Sequence, residues 1–184
     1  MNKLILVNGD IATGKSHFAI LIRDRFDLPL FTKDEFKEAL ADANPCSTYE
    51  ESHKLSILAM QSLVDIFKEY AVDGLDLILE ANFHENNLNE IESIATEYHY
   101  DTLHLNLYGS PEVLYARYVR RRDNESRHPV HAINKLNDFE SFKEYTLARK
   151  NERLFGEVIN INCDDFIYQK DENIFELIKK FLNK

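Results

Sequence analysis

The sequence decides its fold in the stretch Leu4-Ile5-Leu6-Val7-Asn8-Gly9-Asp10-Ile11-Ala12-Thr13-Gly14-Lys15-Ser16. The first four residues form an apolar run that predicts a buried parallel strand. The segment 16–26 has the pattern of a helix. Residues 9–16 match the complete pattern G-x-x-x-x-G-K-[ST], and a strand-to-helix turn is the context in which this pattern binds phosphate. The stretch therefore predicts an α/β fold with a nucleotide-binding site at its first turn.

In this 9–16 loop, successive backbone N–H groups would wrap the β-phosphate, and the positive end of the helix dipole would add attraction. Gly9 and Gly14 would allow the close backbone approach. Lys15 would neutralise charge on the β- and γ-phosphates, and Ser16 would ligate Mg²⁺. The alternative is an ordinary turn that happens to carry lysine and serine. We predict that the whole loop contacts the nucleotide, that is Gly9, Asp10, Ile11, Ala12, Thr13, Gly14, Lys15 and Ser16.

Strand and helix patterns alternate along the rest of the chain. We predict strands at 4–7, 28–31, 77–79, 102–107 and 158–161. Predicted helices cover 16–26, 34–43, 47–70, 87–98 and 173–182, and a further helix starts at Ser110-Pro111, a serine cap followed by proline. The third of these helices would open with a capping box at Ser47 and Glu50. The pattern predicts one domain over 1–184, a three-layer α/β/α fold with a parallel sheet covered on both faces.

The bulk properties limit the partners. The chain has 184 residues and a net charge of -10, which argues against long nucleic acid because backbone binding draws on many lysines and arginines. Basic residues do cluster at 117–122, so the net charge does not exclude a short oligonucleotide as a partner. Two cysteines suit a reducing compartment. No secretory signal and no run of bilayer-spanning length is evident. We expect a cytoplasmic protein that acts on a small molecule away from membranes.

Ligands of parallel sheets bind at the carboxyl ends of the strands, and Asp34 follows the second strand there. Its carboxylate could accept the proton of an acceptor hydroxyl during phosphoryl transfer. Lys37, one helical turn later, could bind an anionic group on that acceptor. The alternative role for Asp34 is to cap the helix that starts beside it.

The third strand ends in Glu80, followed by Asn82 and Phe83. A carboxylate at this position could hold Mg²⁺ through water or contact the substrate. A buried acid without such a role would carry a desolvation cost. Asn82 could orient the substrate and Phe83 could form a wall of its pocket, although turn and packing roles remain open for both. We predict that all three belong to the substrate site.

Arg117 and Arg121 lie four residues apart, on one face of the predicted helix. Arg121 could stabilise charge that develops on the transferred phosphate, and Arg117 could lie against the base or the phosphates. The polar segment that follows carries Arg127, His128 and His131, and we predict a lid over about 117–137 that excludes water. Arg127 and His128 would contact phosphate or acceptor. A histidine metal pair is disfavoured because no cysteine lies nearby to complete a zinc set.

These motifs together resemble the small P-loop kinases of the nucleoside-monophosphate-kinase superfamily. Within them the chain is similar to the group of chloramphenicol phosphotransferase, polynucleotide 5′-kinase and the zeta-toxin kinases, and to bacterial kinases predicted as AAA-type ATPases. The resemblance implies a sheet in the order 2-3-1-4-5, ATP with Mg²⁺ as donor, and Asp34 as the acceptor-activating acid. Two positions depart from the group, since Lys37 replaces an arginine and Asp10 puts an acid in the loop.

The sequence thus predicts an ATP-dependent enzyme that transfers the γ-phosphate to a hydroxyl of a small molecule. Asp34, Lys15 and Arg121 would be its catalytic residues. Two alternatives remain open, an oligonucleotide 5′-kinase and a regulatory or toxin–antitoxin protein that binds ATP without transferring phosphate. The identity of the acceptor, the choice of ATP over GTP and the oligomeric state do not follow from the sequence.

Overall fold

The computed structural model describes residues 1–124 and 128–184. Its centre is a five-stranded sheet in which every strand runs parallel to its neighbours, in the order β2-β3-β1-β4-β5. This confirms the predicted fold class and the strand order that the resemblance implied. The strands are β1 (Asn2–Gly9), β2 (Leu30–Thr32), β3 (Leu77–Glu80), β4 (Tyr100–Tyr108) and β5 (Glu157–Asn162).

Seven α-helices connect and flank the strands within the described residues. They are α1 (Lys15–Phe26), α2 (Lys33–Ala43), α3 (Tyr49–Asp73), α4 (Glu85–Glu97), α5 (Pro111–Asn124), α6 (Phe139–Ala148) and α7 (Glu172–Leu182). Short 3₁₀ turns occur at Pro129–His131, Arg149–Asn151 and Ile167–Lys170. No helix among them is both long enough and apolar enough to cross a membrane.

Side chains of β1 alternate between two hydrophobic cores. Leu4 and Leu6 pack with residues of α3 and α4 on one face of the sheet. Ile5 and Val7 pack with residues of α1 and α7 on the other face. The apolar run of β1 is continuous because both faces of this central strand are covered, as is typical of parallel sheets.

The predicted start of the third helix was wrong by one residue. Thr48, not Ser47, is the cap of α3, and its hydroxyl accepts a hydrogen bond from the Glu51 N–H at 3.2 Å. The Glu51 carboxylate in turn accepts from the backbone N–H groups of Thr48 and Ser47, at 3.1 and 2.9 Å. Glu51 therefore completes the capping box that the sequence assigned to Glu50.

His104 is a buried polar side chain at the centre of β4. It is fully buried, and neither of its ring nitrogens has a hydrogen-bond partner among the described residues. Phe155 packs edge-on against the ring. Burial lowers the pKa of His104 from its usual 6.5 to about 4, because the charged form loses hydration. The folded protein therefore holds this histidine neutral.

We expect this histidine to make folding sensitive to acid. In the unfolded chain His104 becomes protonated below about pH 6.5, whereas in the folded protein it becomes protonated only below about pH 4. The free energy of unfolding therefore decreases as the pH falls from about 6.5 to about 4. The full loss is about 3 kcal/mol. Urea unfolding of wild type and His104→Leu at pH 7 and pH 4 should show that the variant lacks this loss, while the exposed His53→Gln keeps it. Parallel pH dependence in wild type and His104→Leu would contradict the assignment.

Candidate active site

At both glycines of the 9–16 loop, neighbouring atoms leave no room for a side chain. At Gly9, with φ of 151°, a Cβ atom would lie 2.2 Å from the Leu107 carbonyl oxygen. The next residue, Asp10, donates its N–H to that same oxygen at 3.0 Å. At Gly14, with φ of 89°, a Cβ atom would lie 2.8 Å from the Tyr168 hydroxyl. Any side chain at either position would push the loop away from β4 or from the 3₁₀ turn at Ile167–Lys170.

Contacts from behind hold the loop in shape. The Tyr168 hydroxyl donates a hydrogen bond to the Thr13 carbonyl at 2.7 Å, and the Thr13 hydroxyl donates to the Asp10 carbonyl at 2.9 Å. The Lys15 ammonium also lies over the loop, 3.3 Å from the Asp10 carbonyl oxygen. These hydrogen bonds hold the loop in a compact turn at the N-terminus of α1, with the Lys15 side chain packed over it.

Arg149 is a further support of this loop, and the sequence did not reveal it. Its guanidinium donates to the Gly9 carbonyl at 3.3 Å, to Asn8 Oδ1 at 3.1 Å and to the Phe83 carbonyl at 2.8 Å. The side chain is only 7% exposed. Asn8 Oδ1 also accepts from the Phe83 N–H at 3.0 Å. Arg149 therefore fastens the end of β1 to the segment that follows β3.

Two cavities meet in front of the loop. The first, which we call the Asp34 cavity, has a volume of about 200 Å³. Its polar lining consists of Lys15, Ser16, Lys33, Asp34, Lys37, Ser56, Glu80, Asn82, Tyr118, Arg121, His131 and Asn134. The structure therefore brings the predicted residues Asp34, Lys37, Glu80 and Asn82 together with the loop lysine.

The second cavity, which we call the Arg117 cavity, has a volume of about 420 Å³. It is bounded by one side of the loop, by α5 and by Phe166. Four residues line both cavities, namely Ala12, Lys15, Ser16 and Arg121. A molecule in one cavity would therefore meet a molecule in the other beside Lys15 and Arg121.

Arg117 forms a flat wall of its cavity. Its guanidinium carbon lies 3.9 Å from the centre of the Phe166 ring. The guanidinium also donates hydrogen bonds to the carbonyls of Cys163 and Asp164, the latter at 2.7 Å. These contacts fix Arg117 beside the loop after β5, where its planar face and the half-exposed Phe166 ring offer stacking surfaces.

The acidic and basic side chains between the two cavities shift one another's pKa values. Glu80 is 3% exposed, and burial raises its pKa to about 7, a shift opposed by Lys15 and by a hydrogen bond donated by the Ser16 hydroxyl. Burial lowers the pKa of Lys15, and Glu80 and Asp34 oppose that shift. The Lys15 ammonium and the carboxylates of Glu80 and Asp34 therefore favour one another's charged forms, against the cost of burial.

Asp34 is not the cap of α2. The cap is Thr32, whose hydroxyl accepts from the Glu35 N–H at 3.2 Å. Asp34 lies within the first turn and lines the cavity instead. The capping alternative that the sequence left open was therefore wrong. Lys33, its neighbour, also lines this cavity. No role in the site was predicted for Lys33 from the sequence.

Not every predicted residue lines one of these two cavities. Phe83 is fully buried in the core on the α3 and α4 side. The buried Asp10 side chain faces a separate cavity behind the loop, beside Arg149 and Lys150. Burial raises the pKa of Asp10, and the nearby Arg149 opposes that shift. The predicted Arg127 lies outside the described residues.

Part of the predicted lid packs on α2 and α3. Val130 is buried, and its carbonyl accepts a hydrogen bond from the Ser52 hydroxyl at 3.3 Å. His128 Nε2 lies 3.0 Å from Asp42 Oδ1, and His131 Nε2 lies 2.7 Å from Glu38 Oε1. The segment 128–136 thus forms a wall of the Asp34 cavity, lined by His131, Ile133, Asn134 and Leu136. Residues 1–124 and 128–184 contain no cluster of three or more potential His, Cys, Asp or Glu metal ligands.

Several solved protein structures have a similar architecture. No family model and no curated protein matches the chain. A proposed kinase from Chloroflexus aurantiacus is 26% identical over 98% of this chain and 98% of its own, with a TM-score of 0.84. A sugar kinase from a Janibacter species is 16% identical over 97% and 95%, with a TM-score of 0.66. A shikimate kinase from Bacteroides thetaiotaomicron is 15% identical over 96% and 98%, with a TM-score of 0.57. The chain has the fold of the P-loop kinases.

We expect Arg149→Met to weaken both folding and nucleotide binding. Removal of this buried guanidinium takes away the donor to the Gly9 and Phe83 carbonyls and one of the hydrogen bonds to Asn8 Oδ1, which should cost about 2–4 kcal/mol in the free energy of unfolding. The affinity for MgADP should fall at least tenfold because the loop loses its support. The neighbouring Arg153, 55% exposed and paired with Glu92, supplies the control Arg153→Met, which should leave affinity unchanged. Equal effects of the two variants in urea unfolding and calorimetric titration would argue against this role.

Proposed function

We propose that this protein is an ATP-dependent kinase that transfers the γ-phosphate to a hydroxyl group of a small molecule. The observation that carries this proposal is the pair of cavities that meet at Lys15, Ser16 and Arg121. One cavity offers a stacking surface and the 9–16 loop, and the other contains a carboxylate beside the shared cations. The kinase fold of the structural neighbours supports the same reaction class.

The nucleotide would occupy the Arg117 cavity. Its base would lie against Arg117 or Phe166, and the loop N–H groups with the N-terminus of α1 would hold its phosphates. Ser16 and Glu80 fit a Mg²⁺ ion, since a hydroxyl and a carboxylate that already share a hydrogen bond provide oxygen ligands. When bound, the ion would neutralise phosphate charge, and the phosphates would complete its coordination.

The acceptor would occupy the Asp34 cavity. Asp34 would orient the acceptor hydroxyl and accept its proton as the oxygen attacks the γ-phosphorus. The bond between this phosphorus and the bridging oxygen then breaks, and the electron pair leaves with ADP. Lys15 and Arg121, which line both cavities, would stabilise the charge on the phosphoryl group in transit.

The wall formed by 128–136 would serve to keep water out of this reaction. It covers the acceptor side of the site through contacts to α2 and α3, and exclusion of water prevents transfer of the phosphate to water. We therefore assign this part of the predicted lid to the acceptor rather than to the phosphates. The narrower likeness to the chloramphenicol phosphotransferase group rests on the 9–16 loop and the segment around Asp34 and stays a prediction.

A protein that only binds a nucleotide would need the Arg117 cavity alone. It would have no use for a second cavity in which the Asp34 and Glu80 carboxylates lie near Lys15. This is our reason to prefer a kinase over the regulatory alternative.

Asp34→Asn should abolish transfer and spare nucleotide binding. The amide keeps the shape of the side chain and cannot accept the hydroxyl proton, so the rate should fall by roughly 10²-fold or more. γ-Labelled ATP with Mg²⁺ would be offered with a pool of cytosolic metabolites and, separately, with a 5′-hydroxyl oligonucleotide. Label should appear in one small product with wild type.

The matched control for this experiment is Glu35→Gln, the adjacent exposed acid that does not line the cavity. This variant should retain full transfer. Intact turnover in Asp34→Asn would remove Asp34 as the base, and label in the oligonucleotide alone would replace the small-molecule acceptor with a nucleic-acid end.

A further inference from the structure

Lys33 occupies an unusual position for a cation. It is the first residue of α2 and lines the Asp34 cavity, where its side chain is half-buried. Within residues 1–124 and 128–184, its ammonium makes no hydrogen bond and no ion pair. The N-terminus of a helix carries partial positive charge and favours anions. A lysine at this position is therefore placed against the local field.

The surroundings of Lys33 add to this electrostatic cost. Burial lowers its pKa from the usual 10.5 to about 8, and Lys37, Lys15 and Arg149 lower it further. The nearby Asp34 carboxylate opposes the shift. A desolvated cation with this balance of neighbours destabilises the protein unless an anion joins it.

The anion that joins Lys33 would not be the nucleotide. Lys15 and Arg121 line both cavities and serve the phosphates, whereas Lys33 and Lys37 line only the Asp34 cavity. The two acids of this cavity also have other roles, since Glu80 accepts from Ser16 and Asp34 would take the hydroxyl proton. The lining of the Asp34 cavity holds four lysine and arginine side chains, namely Lys15, Lys33, Lys37 and Arg121, against the two acids Asp34 and Glu80. Among these cations, Lys33 and Lys37 lie on the acceptor side alone.

We propose that the acceptor is a small hydroxy compound that carries an oxyacid group, a carboxylate or a phosphate, and that Lys33 binds this group with Lys37 beside it. This inference rests on the proposed function and specifies its acceptor. The cavity volume of about 200 Å³ is below the range of about 300–1,000 Å³ that is typical of pockets for drug-sized ligands. Its size therefore suits a small hydroxy acid or sugar acid.

The test compares three probes of one carbon skeleton, which are glycerol 3-phosphate, glycerate and glycerol. Each carries a free hydroxyl, and only the first two carry an acid group. Binding to the full-length protein, saturated with MgADP, would be measured by calorimetric titration. At least one acidic probe should bind tenfold or more tightly than glycerol. The tighter of the two identifies the acid as phosphate or carboxylate. If neither acidic probe binds better than glycerol, the proposal fails, and this result requires no variant.

Lys33→Met then assigns the effect to the residue. The advantage of the acidic probe over glycerol should fall at least tenfold, while the affinity for MgADP stays within about twofold. The ligand-free variant should also melt at a higher temperature than wild type, because an unpaired, desolvated charge has been removed. Lys68→Met, which removes an exposed lysine of α3, should change none of these values. An unchanged affinity for the acidic probe in Lys33→Met would overturn the proposal.

This experiment is separate from the test of the kinase reaction. Binding of the probes does not require phosphoryl transfer, so an inactive protein that still prefers the acidic probe would refute the proposed reaction alone. An enzyme that phosphorylates a neutral alcohol, with no preference for acidic probes, would refute the present inference alone.

Discussion

The candidate site depends on hydrogen bonds that other segments of the chain make to the 9–16 loop. A loop that binds phosphate with its backbone has few side chains to spare for its own support. Here the support comes from the Leu107 carbonyl, the Arg149 guanidinium and the Tyr168 hydroxyl. These three groups belong to β4, to the 3₁₀ turn after α6 and to the segment after β5. They hold the loop rigid before a ligand arrives, and such preorganisation lowers the cost of binding.

The fold could be predicted from the sequence because its signals are local. The apolar run of β1 and the adjacent glycine pattern together define a strand, a turn and a helix within a short segment. The start of α3 was harder, because Ser47 with Glu50 and Thr48 with Glu51 form two overlapping capping patterns. Both have the required spacing, and only the hydrogen bonds of the folded chain distinguish them. Errors of this size at element boundaries come from such local ambiguity.

The site was predicted where its residues are near one another in the chain or near a strand end. Asp34 and Glu80 were found in this way, and the structure brings both to one cavity. Arg149 could not be found, because its contact to the loop spans 140 residues and nothing near it in the sequence indicates that contact. The same limit applies to the wall at 128–136. Its polar composition suggested a mobile lid, whereas the packing of Val130 and the His131–Glu38 contact join it to distant helices.

The support of the loop by Tyr168 has a consequence for synthesis of the protein on the ribosome. The 9–16 loop is synthesised before Leu107, Arg149 and Tyr168, yet its shape depends on these three residues. A nucleotide stabilises only a chain that already has its binding site. It therefore offers no help to the nascent protein. Until the last strand and the segment after it have left the ribosome, the partial chain exposes apolar surface without this stabilisation, and such intermediates are prone to aggregation.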